Sequence, residues 1–180
     1  MNLKGSKTEK NLFKTFAGES RARNKYSFYA EKARSEGFMY VADVFEETAG
    51  NEHAHAREVF KRYLNMINNT KNNLIEAALG ESEENKVIYK EFEETARCEG
   101  FNEIADFYKE LQEVEGHHKE RFLGLAKKIK EGKMFKAERQ TEWLCLNCGY
   151  IYEGKDAPGK CPLCKYPRAY FKKLENDECY

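Results

Sequence analysis

The sequence predicts an all-α four-helix bundle followed by a small metal-binding domain of β-strands and loops. Three observations carry this. Apolar side chains recur at alternating steps of four and three through most of the first 130 residues, the spacing of one helix face. The same stretch is an internal duplication. Four cysteines in paired knuckles, and all three prolines (Pro158, Pro162 and Pro167), fall in the last fifth of the chain, so the first 140 residues lack the strongest helix breaker. The domains are drawn at residues 1–138 and 139–180.

The duplication fixes the helices. Gly18-Glu19-Ser20 recurs as Gly80-Glu81-Ser82, at an offset of 62 (80 − 18). Ala33-Arg34-Ser35-Glu36-Gly37-Phe38 recurs as Ala96-Arg97-Cys98-Glu99-Gly100-Phe101, and Ala42-Asp43 as Ala105-Asp106, at 63 (96 − 33). Each copy is a helix, a glycine break and a second helix, with Gly37 and Gly100 placed for the left-handed residue that ends a helix. Four helices follow, at roughly residues 8–36, 38–66, 72–99 and 101–130. Their inward faces read Leu12, Phe16, Glu19, Ala22, Tyr26, Tyr29, Ala33; then Val41, Phe45, Thr48, Glu52, His55, Val59; then Leu74, Ala78, Glu81, Asn85, Ile88, Phe92, Thr95; and last Ile104, Tyr108, Leu111, Glu115, His118, Phe122, Leu125, Ile129.

Those faces carry the wrong residues for a plain core. Glu52-x-x-His55 and Glu115-x-x-His118 each set a carboxylate and an imidazole three apart on an apolar stripe, and Glu19, Glu81 and Glu84 join them from the other two helices. A single glutamate on a helix is ordinarily a solvated charge, and a lone histidine a core residue with a hydrogen-bond partner. Here five carboxylates and two imidazoles would all face one interior. An unpaired buried carboxylate costs several kcal/mol, against a net stability of about 5–15 kcal/mol for a whole domain. Two divalent cations resolve the conflict, and an oxygen and nitrogen donor set without thiolate suits iron or manganese. Paired Glu-x-x-His motifs plus a glutamate from each remaining helix are the ligand pattern of ferritin-like di-metal bundles. Glu84 has Ala22 as its counterpart, so the site is not symmetric. His53 and His117 fall off the ligand face.

The tail reads Cys145-x-x-Cys148-Gly149-Tyr150, twelve residues, then Cys161-Pro162-x-Cys164. Four thiolates in two knuckles make a tetrahedral site for zinc or for one iron, and the spacing does not choose between them. Trp143, Tyr150, Tyr152, Tyr170 and Phe171 are expected to form the small aromatic core of a module that depends on its metal. Position 165, after the last cysteine, is Lys where such knuckles usually carry Gly, so a strained turn or an altered hydrogen bond is expected there. Cys98 and Cys179 have no partner at ligand spacing and read as bystanders, Cys98 half-buried and Cys179 exposed.

Composition excludes other classes. Basic and acidic residues number 31 each, so there is no net charge to drive nucleic-acid or polybasic membrane binding. No apolar run reaches the length of a membrane span. The polar start, Met1 to Lys10, lacks the apolar stretch of an export signal, so a cytoplasmic protein is expected, and the sequon at Asn68-Asn69-Thr70 is expected to be idle. No Gly-rich dinucleotide loop occurs.

Over essentially its whole length the chain resembles rubrerythrin, a ferritin-like di-iron bundle joined to a rubredoxin-like domain. The carrying motifs are Phe16-Ala17-Gly18-Glu19-Ser20, Glu52-x-x-His55, Gly80-Glu81-x-x-Glu84, Glu115-x-x-His118 with Arg121-Phe122, and the four-cysteine tail. The resemblance implies that Glu52 and Glu115 bridge two irons, that Glu19 binds one and Glu81 with His118 the other, and that the first iron moves between Glu84 and His55 with redox state. It implies that Tyr26 and Tyr89, otherwise core aromatics, hydrogen-bond ligand carboxylates. It makes the tail an iron tetrathiolate, with zinc as a substitute. The implied function is a hydrogen peroxide reductase for oxidative-stress defence, fed with NAD(P)H electrons through a separate reductase or rubredoxin, the tail approaching the partner's bundle in a head-to-tail dimer. A ferroxidase or iron-storage protein, a non-enzymatic electron carrier and a zinc-ribbon interaction protein are the rival readings.

Chain reach adds an expectation about assembly. In such a bundle the second and third helices run parallel, and Glu52 and Glu81 must share the metal level although only 29 residues separate them (81 − 52). With helix ends near Tyr63 and Asn72, each helix overshoots that level by roughly 14–17 Å. The connector must then return about 30 Å in about nine residues, close to the limit of a straight chain. The taut connection predicts a helix-swapped homodimer, with residues 68–73 as the hinge, and some rubrerythrin-like proteins are built so.

Overall fold

A computed structural model describes residues 2–174. The chain divides into two compact units, one ending at Asn68 and the other beginning at Asn69. Cys179 lies outside the described residues.

The first unit is a helical hairpin of α1 (Lys7–Ser35) and α2 (Met39–Arg57), with α2 running on as a π-helical turn over Glu58–Tyr63. Ser6 starts α1 by accepting from the Glu9 backbone N–H at 3.0 Å, while the Glu9 carboxylate reaches back to the Gly5 N–H at 2.6 Å, a variant of the capping box. Gly37 takes the expected left-handed conformation (φ 83°), and the N–H groups of Phe38 and Gly37 close on the carbonyls of Ala33 and Arg34. Small residues let the two helices approach closely: Ala30, Ala33 and Ala42 are buried against Phe45. Tyr26 and Tyr29 pack on Phe45, and Phe16 stacks on Phe60 at 4.8 Å.

The second unit opens with a second hairpin. Asn69, accepting from the Asn72 N–H at 3.0 Å, caps α3 (Thr70–Glu83); a π-turn over Glu84–Ile88 leads into α4 (Tyr89–Cys98), and α5 is Asn102–Lys130. The expected single helix over 72–99 is therefore interrupted, and it starts two residues earlier because Asn69 supplies its cap. Gly100 (φ 84°) ends α4 as Gly37 ends α1, with Phe101 N–H on the Ala96 carbonyl.

A three-stranded antiparallel sheet in the order β2-β1-β3 completes this unit: β1 Lys136–Cys145, β2 Ile151–Asp156 and β3 Phe171–Lys173. Trp143, Cys145, Ala157, Cys161 and Phe171 are buried together, with Tyr150, Tyr152 and Phe135 packed around them. The Trp143 indole N–H donates to the Gly154 carbonyl at 2.9 Å, so this aromatic is buried without a polar penalty. Tyr170 corrects the sequence expectation. It is 42 % exposed and stacks edge-on against Tyr166 rather than entering the core, and Phe135 takes the place expected for it.

Several members of the expected inward stripes stay nearly half-exposed: Val41 at 44 %, Phe92 at 43 % and Ile104 at 49 %. Cys98 is exposed rather than half-buried. No helix among the described residues is long and apolar enough to cross a membrane.

Candidate metal centres

Each hairpin gathers one carboxylate from its first helix with the Glu-x-x-His of its second. In the first unit, His55 Nδ1 lies 3.0 Å from Glu52 and 3.3 Å from Glu19. In the second, His118 Nδ1 lies 2.8 Å from Glu115 and 3.8 Å from Glu81. Within each triad the candidate ligand atoms all stand within 4.8 Å of one another. The two triads are built alike because helical spacing sets Glu and His one above the other on α2 and on α5, one turn apart.

The electrostatics of these triads favour a cation. The Glu52 carboxylate beside it, with burial, raises the pKa of Glu19, while Glu52 itself is lowered by its hydrogen bonds to Glu19 and His55. Burial, then the neighbouring Glu115, raises Glu81. Glu52 and Glu19 together raise His55. Without a cation, like charges share protons to coexist. Glu115, 9 % exposed, is the buried charged side chain among the described residues. Such a donor set, oxygen with one imidazole nitrogen per triad, fits a hard or borderline divalent ion such as iron or manganese.

Glu84, the seventh expected ligand, is not among the clustered ligand atoms of Glu81, Glu115 and His118, although its charge acts on Glu81. It opens the π-turn, and its carboxylate accepts from the Tyr89 hydroxyl at 3.1 Å. Burial, then this hydrogen bond, raises the Tyr89 pKa, so the phenol keeps its proton and donates. Tyr26, expected to serve another ligand carboxylate, has its ring 6.2 Å from that of Phe45. His53 and His117 are exposed and outside the triads.

The third cage is made of sulfur. Cys145 lies 3.7 Å from Cys164 and Cys148 lies 3.7 Å from Cys161. Four sulfurs about 2.3 Å from one ion stand about 3.8 Å apart at the corners of a tetrahedron, so the cage has the size its metal requires. Two matching knuckles hold it. Gly149 N–H closes on the Cys145 carbonyl and Lys165 N–H on the Cys161 carbonyl; Cys145 N–H reaches Tyr150 and Cys161 N–H reaches Tyr166. Lys165 keeps the left-handed conformation of its glycine counterpart (φ 63° against 77° at Gly149), so the turn is the strained one. Its ammonium bonds the Pro162 carbonyl at 2.7 Å.

The thiols share charge unevenly. The Tyr150 N–H draws Cys148 down, but burial and the three other sulfurs outweigh it and push the pKa up to about 12. Burial opposes ionisation of Cys164, yet the Tyr166 N–H, the Asn147 side chain and two neighbouring thiols bring it down to about 6. Asn147 was not legible as a site residue; its position inside the first knuckle was the available signal.

The chain is similar in sequence to known proteins. The family model for rubrerythrin matches residues 10–126 and 72–144, and that for the rubredoxin-like domain of rubrerythrin matches 143–172. Rubrerythrin-1 of Clostridium acetobutylicum is 42 % identical across 98 % of this chain and 98 % of its own. The rubrerythrin of Nitratidesulfovibrio vulgaris is 42 % identical across 96 % and 97 %. A solved structure of nigerythrin in a partially reduced state aligns at 29 % identity over 95 % of this chain and 90 % of that one, with a TM-score of 0.37. With twin Glu/His triads on a duplicated hairpin, a four-sulfur cage in the tail and relatives 42 % identical over nearly the whole length, the chain belongs to the rubrerythrin family.

Proposed function

We propose that this protein is a cytoplasmic hydrogen peroxide reductase, supplied with electrons by separate partners: a rubredoxin or a reductase drawing on NAD(P)H. The observation that carries the reading is the presence, in one chain, of two oxygen-and-nitrogen triads and a tetrathiolate cage. When bound, paired irons supply two electrons to an O–O bond and the thiolate-held iron restores them singly, so that peroxide, two electrons and two protons become two waters.

The chain's own residues divide the remaining work. Glu52 and Glu115 would serve both ions, Glu19 would hold one, and Glu81 with His118 would hold the other. His55 and Glu84 would offer the first ion alternative donors, one neutral and one anionic, suited to different charge states there. Tyr89 parks the Glu84 carboxylate through its hydroxyl, at the 3.1 Å distance described above. Tyr26 would serve a carboxylate in the same way. The free thiols among the described residues suit a reducing compartment, and zinc fits the sulfur cage as a substitute. We place the boundary between the bundle and the sulfur-cage domain at residues 138 and 139.

We further propose a helix-swapped homodimer, each hairpin pairing with the complementary hairpin of a partner chain. The connector between Tyr63 and Thr70 has only six residues, 64–69, two fewer than helix ends at Tyr63 and Asn72 would leave. Its seven peptide steps span at most about 25 Å. Helices parallel in one bundle, with Glu52 and Glu81 level, would need about 33 Å, and this mismatch supports pairing between chains. The half-exposed Val41, Phe92 and Ile104 supply the apolar surface that such pairing would cover.

Stopped-flow mixing of the reduced, iron-loaded protein with peroxide and with dioxygen tests the activity. Peroxide is expected to oxidise the protein much faster. Faster oxidation by dioxygen would replace the peroxidase reading with a ferroxidase one.

A further inference from the structure

The two hairpins are copies, and the spacing of the matched residues changes at one place. The repeat offset is 62 at Gly18/Gly80 and 63 from Ala33/Ala96 onward, so the second copy holds one extra residue between Ser82 and Ala96. The structure shows where it went. Helix α1 runs unbroken through the equivalent stretch, whereas the second copy opens into the Glu84–Ile88 π-turn, with the Tyr89 N–H reaching the Glu84 carbonyl five residues back. A π-turn absorbs one inserted residue without ending a helix, and such turns gather at functional sites.

One polar side chain seated beside a glycine ties this turn to α5, and further polar side chains join α5 to α4. Asn85, its second residue, donates through Nδ2 to the backbone carbonyl of Gln112. A Cβ on Gly116 would lie 3.1 Å from that same Nδ2, so the glycine leaves room for the amide. The Gln112 side chain donates to Glu93 on α4 at 2.9 Å, and Glu93 accepts from Arg97 at 2.9 Å. In the first copy the counterparts of Gly116, Gln112 and Glu93 are His53, Ala49 and Ala30, and the two alanines are simply buried. The polar fastening therefore belongs to the copy with the insertion, where Glu84 stands in place of Ala22.

We propose that Asn85, seated over Gly116 and fastened to Gln112, is a positioning latch that holds the inserted π-turn against α5 and thereby sets where the Glu84 carboxylate can stand. The latch rests on the assignment of Glu84 as a metal ligand. It acts through the backbone: Asn85 follows Glu84 directly, and the turn it anchors ends at Tyr89, which holds the Glu84 side chain. The inserted residue thereby adds to the asymmetry of the two half-sites.

The test uses the full-length protein and manganese(II), which carboxylate and imidazole donors take up and thiolates disfavour. Binding is followed by electron paramagnetic resonance, with thermal melting measured alongside. Asn85→Ala is expected to weaken uptake about ten- to hundredfold, as loss of a group that orients a ligand does, and to broaden the bound-ion spectrum while leaving the melting temperature nearly unchanged. Gly116→Ala should do the same by displacing the amide, and the double variant should lose no more than Asn85→Ala alone. Deleting Lys86, which restores the length of the first copy, should keep the helix content and lose the affinity. If the parent binds manganese and all the variants bind it as tightly, the latch is wrong while the metal assignment stands. Additive losses, or affinity falling only in step with unfolding, would reduce Asn85 to a structural residue. A parent that takes up no manganese sinks the assignment and the latch together.

Discussion

The swapped assembly makes an arithmetic prediction. Glu52→Ala disables the triad of the first hairpin and Glu115→Ala that of the second. In a dimer of self-contained chains, neither variant holds an intact centre, and mixing them changes nothing. In a swapped dimer, the first hairpin of the Glu115→Ala chain meets the second hairpin of the Glu52→Ala chain, and that centre is whole. Random assortment makes about half the dimers mixed, and each mixed dimer carries one intact centre of two, so co-expression should restore about a quarter of the parent's centres. The assay is peroxide-driven oxidation of the reduced protein per chain, with iron content measured on the same sample. Inserting about ten glycine and serine residues after Asn68 lengthens the connector beyond the about 33 Å required and should abolish the rescue by letting each chain close on itself. Co-expressed variants no better than either alone would refute the swap.

Two further outcomes are expected. Lys165→Gly removes the cost of a left-handed non-glycine residue, worth about 1 kcal/mol, at the loss of an exposed bond to the Pro162 carbonyl. Unfolding of the tail, followed by the fluorescence of its one tryptophan, should shift to higher denaturant, and a shift to lower denaturant would show that the lysine bond outweighs the strain. In the metal-free protein, Glu52 and Glu19 raise the His55 pKa above 6.5. The stabilisation this gives is complete below the unfolded imidazole's value and is lost as pH rises through the higher folded one. An NMR titration of His55 with a midpoint at or below 6.5 would contradict the triad geometry.

Much of the site could be read before any coordinates. Glu52, His55, Glu115 and His118 declare themselves because a helix repeats every three to four residues and charged groups on its apolar side need a reason. Gly37 and Gly100 declare the hairpin turns because few other residues adopt their conformation. The four cysteines give a cage by spacing alone. What stayed hidden depends on neighbours in space. Tyr170 looks like core from its composition, but its ring is claimed by Tyr166 outside the core. The early start of α3 turns on one Asn69 side chain finding a backbone N–H. The break at Glu84–Ile88 leaves the apolar stripe of that helix readable on both sides, so periodicity missed it, although the change of offset between the copies had marked it. The exposure of Val41, Phe92 and Ile104 is invisible to pattern reading, which reports that a face is apolar and not what lies upon it.

The six residues between Tyr63 and Thr70 bear on how the protein would come into service under the swapped assembly. A newly made chain would carry every donor for its chemistry and still be unable to close a centre alone. Onset of activity would then scale with the square of chain concentration, and dilution would switch the protein off without unfolding it. A short tether would thereby turn abundance itself into the signal that arms the defence.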